Sequence, residues 1–278
     1  MSSLEPSPES AAQPTDQPAV AHPHLDLTLQ HSLGTALTLE LVFRLTQPWS
    51  VLFAPSGAGK TTILRAIAGL FAPTRARIAL HSPTQHETIL TDTATGVFLP
   101  PHLRGVRMVA QQPALFPHLT VLQNILYGHQ PPASNPNDLR TPAQNNPTAQ
   151  SDPTASLIAL CRVAHLTEKM PSALSGGEQQ RVALARTLAA TGPGSLLLLD
   201  EPFTGLEADL RDAIISELRA WLAQRHIPAL SVTHDVAEAF QLNAEVLKIA
   251  SGRVVAQGPA AQVLHAERAR LLTQLNPA

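Results

Sequence analysis

Residues able to do chemistry gather in three short stretches. The first is APSGAGKT at 54–61. Pro55, Ser56, Gly57, Ala58 and Gly59 are small or compact. They allow backbone N–H groups to turn inward onto phosphate oxygens, with a helix N-terminus and its dipole behind them. Lys60 is spaced to reach the outer phosphates, and the hydroxyl of Thr61, followed by Thr62, to ligand a divalent cation. Ala54 stands where glycine is usual, and would cost about 1 kcal/mol if that position required a positive φ. The second stretch is LLLLDE at 196–201. Successive strand side chains point to opposite faces, so its two acids have different tasks. Asp200 suits the cation shell, and Glu201 suits a general base on an attacking water. Alone, an apolar strand followed by a polar turn would read the same; the phosphate-binding loop upstream makes the pairing specific. The third stretch is LSGGEQQR at 174–181. Ser175 is an N-cap candidate for a helix opened by Gly176, Gly177 and Glu178, which makes a second helix N-terminus suited to anions.

These groups need elements to position them. Alternation of apolar and polar residues at 25–29 and 36–45 predicts strands, and WSVLFA at 49–54 a buried one. The spacing predicts helices over 61–70, 178–190, 210–225 and 235–242, and strands at 106–110, 196–199 and 229–233. A hairpin is expected around Ser251-Gly252, from 245–250 to 254–257. Strands alternating with helices indicate an α/β fold with a largely parallel sheet. No internal repeat is evident.

The chain has 278 residues, 44% hydrophobic and 14% charged, with a net charge of −2. That is enough apolar material for a full core and too little positive charge for a nucleic-acid surface. Cys161 is the only cysteine, which excludes an intrachain disulfide and a cysteine-based zinc cluster. No apolar run is long enough to span a bilayer, and the first residues lack the charge and apolar block of a signal peptide. Of 25 prolines, five fall in 1–23 and six in 129–154. These polar stretches read as a disordered tail and a disordered surface insertion.

On the three motifs together, LSGGEQQR above all, the chain resembles the ATP-binding cassette (ABC) ATPases, the nucleotide-binding subunits of ABC transporters. The resemblance covers about residues 25–258. It implies a P-loop NTPase: a RecA-like core with a largely parallel sheet, an antiparallel β-subdomain and an α-helical signature subdomain. The expected organisation is a tail at 1–23, a cassette at 24–258 and a helical tail at 259–278. The helical subdomain would occupy about 112–185 and contain the insertion. The ligands implied are ATP and Mg²⁺. VAQ at 109–111 is similar to the family's Q-loop and VTHD at 232–235 to its switch loop. Gln111 would therefore contact metal and water, and His234 the γ-phosphate. Catalysis would rest on Glu201, His234, Gln111 and Lys60, and the metal on Thr61, Gln111 and Asp200. Nucleotide would touch residues 55–62 of one chain and Ser175, Gly176, Gly177 and Glu178 of another, in a head-to-tail dimer. TGLE at 204–207 sits at the family's D-loop, with Glu207 in place of the common Asp. An aromatic residue that stacks on adenine in many cassettes is missing; His31 is the candidate, with an aliphatic surface as the alternative.

The implied partners are a transmembrane permease and, indirectly, a solute-binding protein, with no nucleic acid. The place implied is the cytoplasmic face of the membrane, peripherally. ALFPHLTVLQNILYG at 114–128 matches the stretch where similar importers receive the permease. Its apolar residues Leu115, Phe116 and Leu119 fit docking and core equally. The same stretch points to importers, and residues 25–41 to those for molybdate or a similar oxyanion. With twenty residues after Gly258, the regulatory domain usual in that group is not expected. The competing readings are a soluble ABC ATPase without a transport role and a cassette impaired by Ala54 and Glu207.

Overall fold

The computed structural model describes residues 24–34, 37–81, 87–128 and 153–275. Two sheets organise it. The first is antiparallel throughout, in the order β2-β1-β4-β5-β6, from β1 (His24–Leu33), β2 (Leu37–Leu45), β4 (Arg75–His81), β5 (Glu87–Asp92) and β6 (Val97–Phe98). The second runs β11-β10-β3-β9-β8-β7. Its members are β3 (Trp49–Phe53), β7 (Val106–Val109), β8 (Leu196–Asp200), β9 (Ala229–Thr233), β10 (Glu245–Ala250) and β11 (Arg253–Pro259). All its pairings are parallel except the β10–β11 hairpin. The helices are α1 (Lys60–Ala68), α2 (Val121–Gly128), α3 (Pro153–Leu160), α4 (Gly176–Ala189), α5 (Ala208–Gln224), α6 (Val236–Gln241), α7 (Ala260–Val263) and α8 (His265–Leu275).

The four leucines of β8 show why the parallel sheet forms. A strand covered on both faces reads as a continuous apolar run. Leu197 and Leu199 join one core with α4 and α5, among them Val182, Leu184, Ile214 and Leu218. Leu196 and Leu198 join a second core, in which Ile63, Leu64 and Ile67 of α1 meet Leu25, Leu27, Leu39 and Ile78 of the antiparallel sheet. The sheet is thus the wall between two cores, and α1 is the bolt between the two sheets.

Two polar side chains lock the surroundings. Arg104, 2% exposed, donates to the carbonyls of Ala66 and Ile67 at the end of α1, to Leu99 O and to Thr91 Oγ1. Burial lowers its pKa to about 10. Asn124 in α2 is fully buried and ties down the preceding loop: its Oδ1 accepts from Phe116 N at 2.8 Å, and its Nδ2 donates to Phe116 O, Leu119 O and Thr120 O. The helices α2 and α3 pack on α4.

Some expectations need correction. β4, β5 and β6 were not anticipated, because only the second half of β4 is continuously buried, β5 shows no regular alternation of buried and exposed residues, and β6 has two residues. The insertion expected to run to Thr154 ends earlier. Pro153 opens α3, a position where proline's missing N–H costs nothing, and Thr154 is buried. The expected tail at 1–23 and residues 129–152 of the insertion lie outside the described residues. β11 runs to Pro259, one residue past the expected end of the cassette at 258. In α8, Glu267 accepts from Lys248 of β10 at 2.6 Å, and Arg268 lies over the Phe240 ring.

Candidate active site

The chemistry gathers at the carboxyl ends of four neighbouring parallel strands, β3, β9, β8 and β7. That edge is where open α/β sheets bind ligands. Each strand contributes one loop. After β3 the chain turns through Gly57 at φ 80° and Gly59 at φ 87°. The φ of Gly59 favours glycine there, and a Cβ would in addition have to displace the methyl end of Leu39, at 2.8 Å. Ala54, by contrast, is not among the positive-φ residues and is buried, so its side chain imposes no backbone strain.

Gly59 caps α1 without any side-chain bond, and the first turn holds no acidic residue. The leading N–H groups of α1, which by helix geometry lack an internal acceptor, therefore face the cleft without a side-chain cap. Lys60 is buried, and its ammonium donates to Ala54 O at 2.8 Å and Pro55 O at 3.0 Å, which holds it over the loop. Burial lowers its pKa, against the opposing pull of Glu201 and Asp200.

Asp200 ends β8, 1% exposed. Burial raises its pKa; the hydrogen bond from Thr61 and the charge of Lys60 oppose this, while Glu201 adds to it. Its Oδ2 is buried with no hydrogen-bond partner. Glu201 follows with φ 47°, an unusual conformation for a side-chain-bearing residue, and its N–H donates to Val232 O. Its carboxylate is the meeting point of three loops. Gln111 Nε2, beyond β7, donates to Glu201 Oε2 at 3.3 Å, and His234 Nδ1, beyond β9, lies 3.3 Å from Glu201 Oε1. The cleft between the loop and these groups has a volume of about 300 Å³. It is lined by Ser56, Gly57, Lys60, Thr61, Thr62, Gln111, Glu201 and Leu33, among others.

With that geometry in view, similarity to known proteins is decisive. The family described as ABC transporter matches residues 46–204. The molybdenum import ATP-binding protein ModC of Albidiferax ferrireducens is 39% identical over 215 residues, 77% of this chain and 53% of that protein. The chain belongs to the ABC transporter family. The molybdate/tungstate import ATP-binding protein WtpC of Archaeoglobus fulgidus is 35% identical, over 82% of this chain and 85% of its own length. The chain spans a little over half the length of the first ModC relatives it matches. The solved structure of cbiO1 from Clostridium perfringens, part of the ABC transporter complex cbiONQ, superposes with a TM-score of 0.65. It is 21% identical, covers 91% of this chain and 95% of that one, and shows the shared fold.

The ABC signature stretch lies on another surface. None of Ser175, Gly176, Gly177 and Glu178 lines the cleft of their own chain. Ser175 caps α4 in a full capping box. Its Oγ accepts from Glu178 N, and Glu178 Oε2 accepts from Ser175 N at 2.7 Å and from its hydroxyl at 2.8 Å. Those bonds hold the Glu178 carboxyl below its ordinary pKa. A Cβ on Gly176 would meet open space, whereas one on Gly177 would touch Leu206 and Gly205 O of the D-loop stretch. Glu207 occupies the N-cap of α5 but makes no side-chain cap bond, which fits a side chain one methylene longer than Asp.

His31 of β1 does not line the cleft: it is held by Thr74 Oγ1 at 3.1 Å and packs against the Phe71 ring at 5.0 Å. Leu33, two residues on, lines the cleft instead. Sequence reasoning passed over Leu33. The period-2 rule, which puts 31 and 33 on one face of β1, was the available signal. Leu115 packs against the core, and Phe116 is half-buried between Tyr127 and Arg186. This stretch is therefore anchored from below with its outer edge exposed at Leu126 and Tyr127.

Proposed function

We propose that this chain binds and hydrolyses ATP as the energy-supplying subunit of an ABC importer for molybdate or a similar oxyanion. The observation that carries the reading is the convergence of Gln111 and His234 on Glu201, beside Lys60, Thr61 and Asp200. The uncapped start of α1 and the Lys60 ammonium suit a triphosphate. Mg²⁺ fits as well: Asp200 offers a buried, unpartnered carboxylate oxygen, and Thr61 and Gln111 complete a set of hard oxygen donors. When bound, the ion neutralises phosphate charge. Glu201 accepts the proton of the attacking water at its carboxylate, Gln111 and His234 fix that carboxylate, and His234 turns toward the terminal phosphate. Adenine rests on the aliphatic surface that begins at Leu33, with His31 as the neighbouring stacking candidate.

The catalytic unit is a head-to-tail pair. Ser175, Gly176, Gly177 and Glu178 of one chain close the cleft of the other, a reading supported by their distance from their own cleft and by the open face at Gly176. A separate transmembrane permease docks on the anchored stretch around Phe116, and a solute-binding protein acts through that permease. The chain then sits peripherally on the cytoplasmic face. Among the described residues no helix is long and apolar enough to cross a membrane. Molybdate is favoured by the names of the relatives, and inactivity from Ala54 is disfavoured by that residue's unstrained backbone.

The test is Glu201→Gln. General-base loss costs about 10²–10⁴-fold in turnover. The variant should bind ATP with near-normal affinity, accumulate as an ATP-bound dimer on size exclusion, and hydrolyse at least a hundredfold more slowly. Wild-type turnover would overturn the assignment of Glu201.

A further inference from the structure

At the end of β1 remote from the cleft, three chemistry-bearing side chains meet for which the nucleotide site has no use. His24 of β1 pairs directly across the sheet with His81 of β4, and Asp26 lies two residues along β1 on the same face. The two imidazoles stack in parallel, with centroids 4.3 Å apart and planes at 2°. His81 Nε2 is 3.3 Å from Asp26 Oδ2, and one ligand atom from each of the three residues lies within 4.8 Å of the others. All three residues are half-buried. Among the described residues no other group of three His, Cys, Asp or Glu side chains converges this way.

We propose that His24, Asp26 and His81 form a binding site for a divalent transition-metal ion, zinc being the best fit. Two imidazole nitrogens and one carboxylate oxygen match the borderline donor preference of zinc, with water as the fourth ligand. Bonds of 2.0–2.1 Å at the tetrahedral angle set donor atoms about 3.3 Å apart, the separation already present between His81 Nε2 and Asp26 Oδ2. Rotation of the His24 side chain closes the remaining gap. His81 Nε2 is buried and lacks a hydrogen-bond partner of acceptable geometry, so a lone pair there is available to an ion.

The competing cation is Arg44, which grips Asp26 through Nε at 2.5 Å and Nη2 at 2.7 Å. Arg44 is mostly exposed and can keep Oδ1 while Oδ2 turns to the metal, the outer-sphere arrangement that orients ligating carboxylates. Glu87, whose Oε1 is 3.8 Å from His81 Nε2, supplies further negative charge, though it is shared with Arg77. The ion would staple β1 to β4, about 30 Å along the ten-residue β1 from Leu33.

The experiment uses the full chain, stripped of metal and free of nucleotide, titrated with zinc by calorimetry and with Co²⁺ by visible absorption. The expected result is one zinc per chain with micromolar or tighter affinity, and the intense Co²⁺ bands of a tetrahedral site. Loss of a mere outer-sphere partner costs 10–100-fold, so His81→Gln should weaken zinc by at least about 100-fold and abolish the Co²⁺ bands. His24→Gln and Asp26→Asn should each weaken zinc likewise. ATP binding at wild-type affinity certifies that each variant is folded, since the cleft is remote. The absence of one-to-one uptake by the wild type, or a loss below tenfold in the double variant His24→Gln/His81→Gln, overturns the site.

Discussion

Glu238 offers a sharp test of how the sheet edge is held. It lies in α6, 5% exposed, one turn beyond His234. Its Oε2 accepts from Thr233 Oγ1 at 3.1 Å, and its Oε1 is buried without a partner. Burial pushes its pKa from 4.5 up to about 7; Asp235 and Glu201 add to the rise, while the Thr233 hydrogen bond and Arg211 oppose it. The folded chain therefore keeps a proton between these two values that the unfolded chain has released. The stabilisation is full below pH 4.5 and is lost as pH rises through about 7. The gap corresponds to about 3 kcal/mol. Glu238→Gln preserves shape and the Thr233 acceptor but cannot ionise. Urea unfolding of both proteins from pH 4.5 to 8.5, without nucleotide, should show their stability difference moving in favour of the variant by about 2–3 kcal/mol. If the difference stays within about 0.5 kcal/mol across that range, the buried carboxyl is not destabilised by ionisation and the reasoning fails.

Two other substitutions probe the supports of the site. Asn124→Ala removes four hydrogen bonds that hold residues 116–120, and should cost about 3 kcal/mol in urea and speed proteolysis of that loop. Gly69→Ala sets a Cβ against the Arg104 guanidinium at φ 77°; it should cost about 2–4 kcal/mol in thermal unfolding, more than the roughly 1 kcal/mol of backbone strain alone.

The parallel sheet and its site loops were legible because their signals are local. LLLLDE is apolar on both faces, and the glycines of APSGAGKT are demanded by backbone conformation. The Gln111–Glu201–His234 meeting came from family resemblance, since a lone glutamine or histidine carries no signal and only strand order brings the three together. The antiparallel sheet beyond β2 was missed for a different reason: β5 relies on pairing with β4, and β6 on pairing with β5, rather than on their own patterning. Leu33 was overlooked for the more chemical His31. The His24–Asp26–His81 meeting was invisible, because it depends on a register between strands 57 positions apart.

The two anion-facing helix starts differ in one respect that sets an order of events. The donors at α1 are uncommitted to any side chain, so an incoming anion displaces only water. At α4 the N–H of Glu178 and the N–H and hydroxyl of Ser175 are already engaged in the capping box, so a phosphate arriving there competes with a resident carboxylate for the serine. Within the proposed pair, the phosphate loop should therefore load first, and the signature should engage only once a nucleotide is presented to it. An empty pair would have little to hold it shut, and this sequence of loading before clasping gives the cycle its direction.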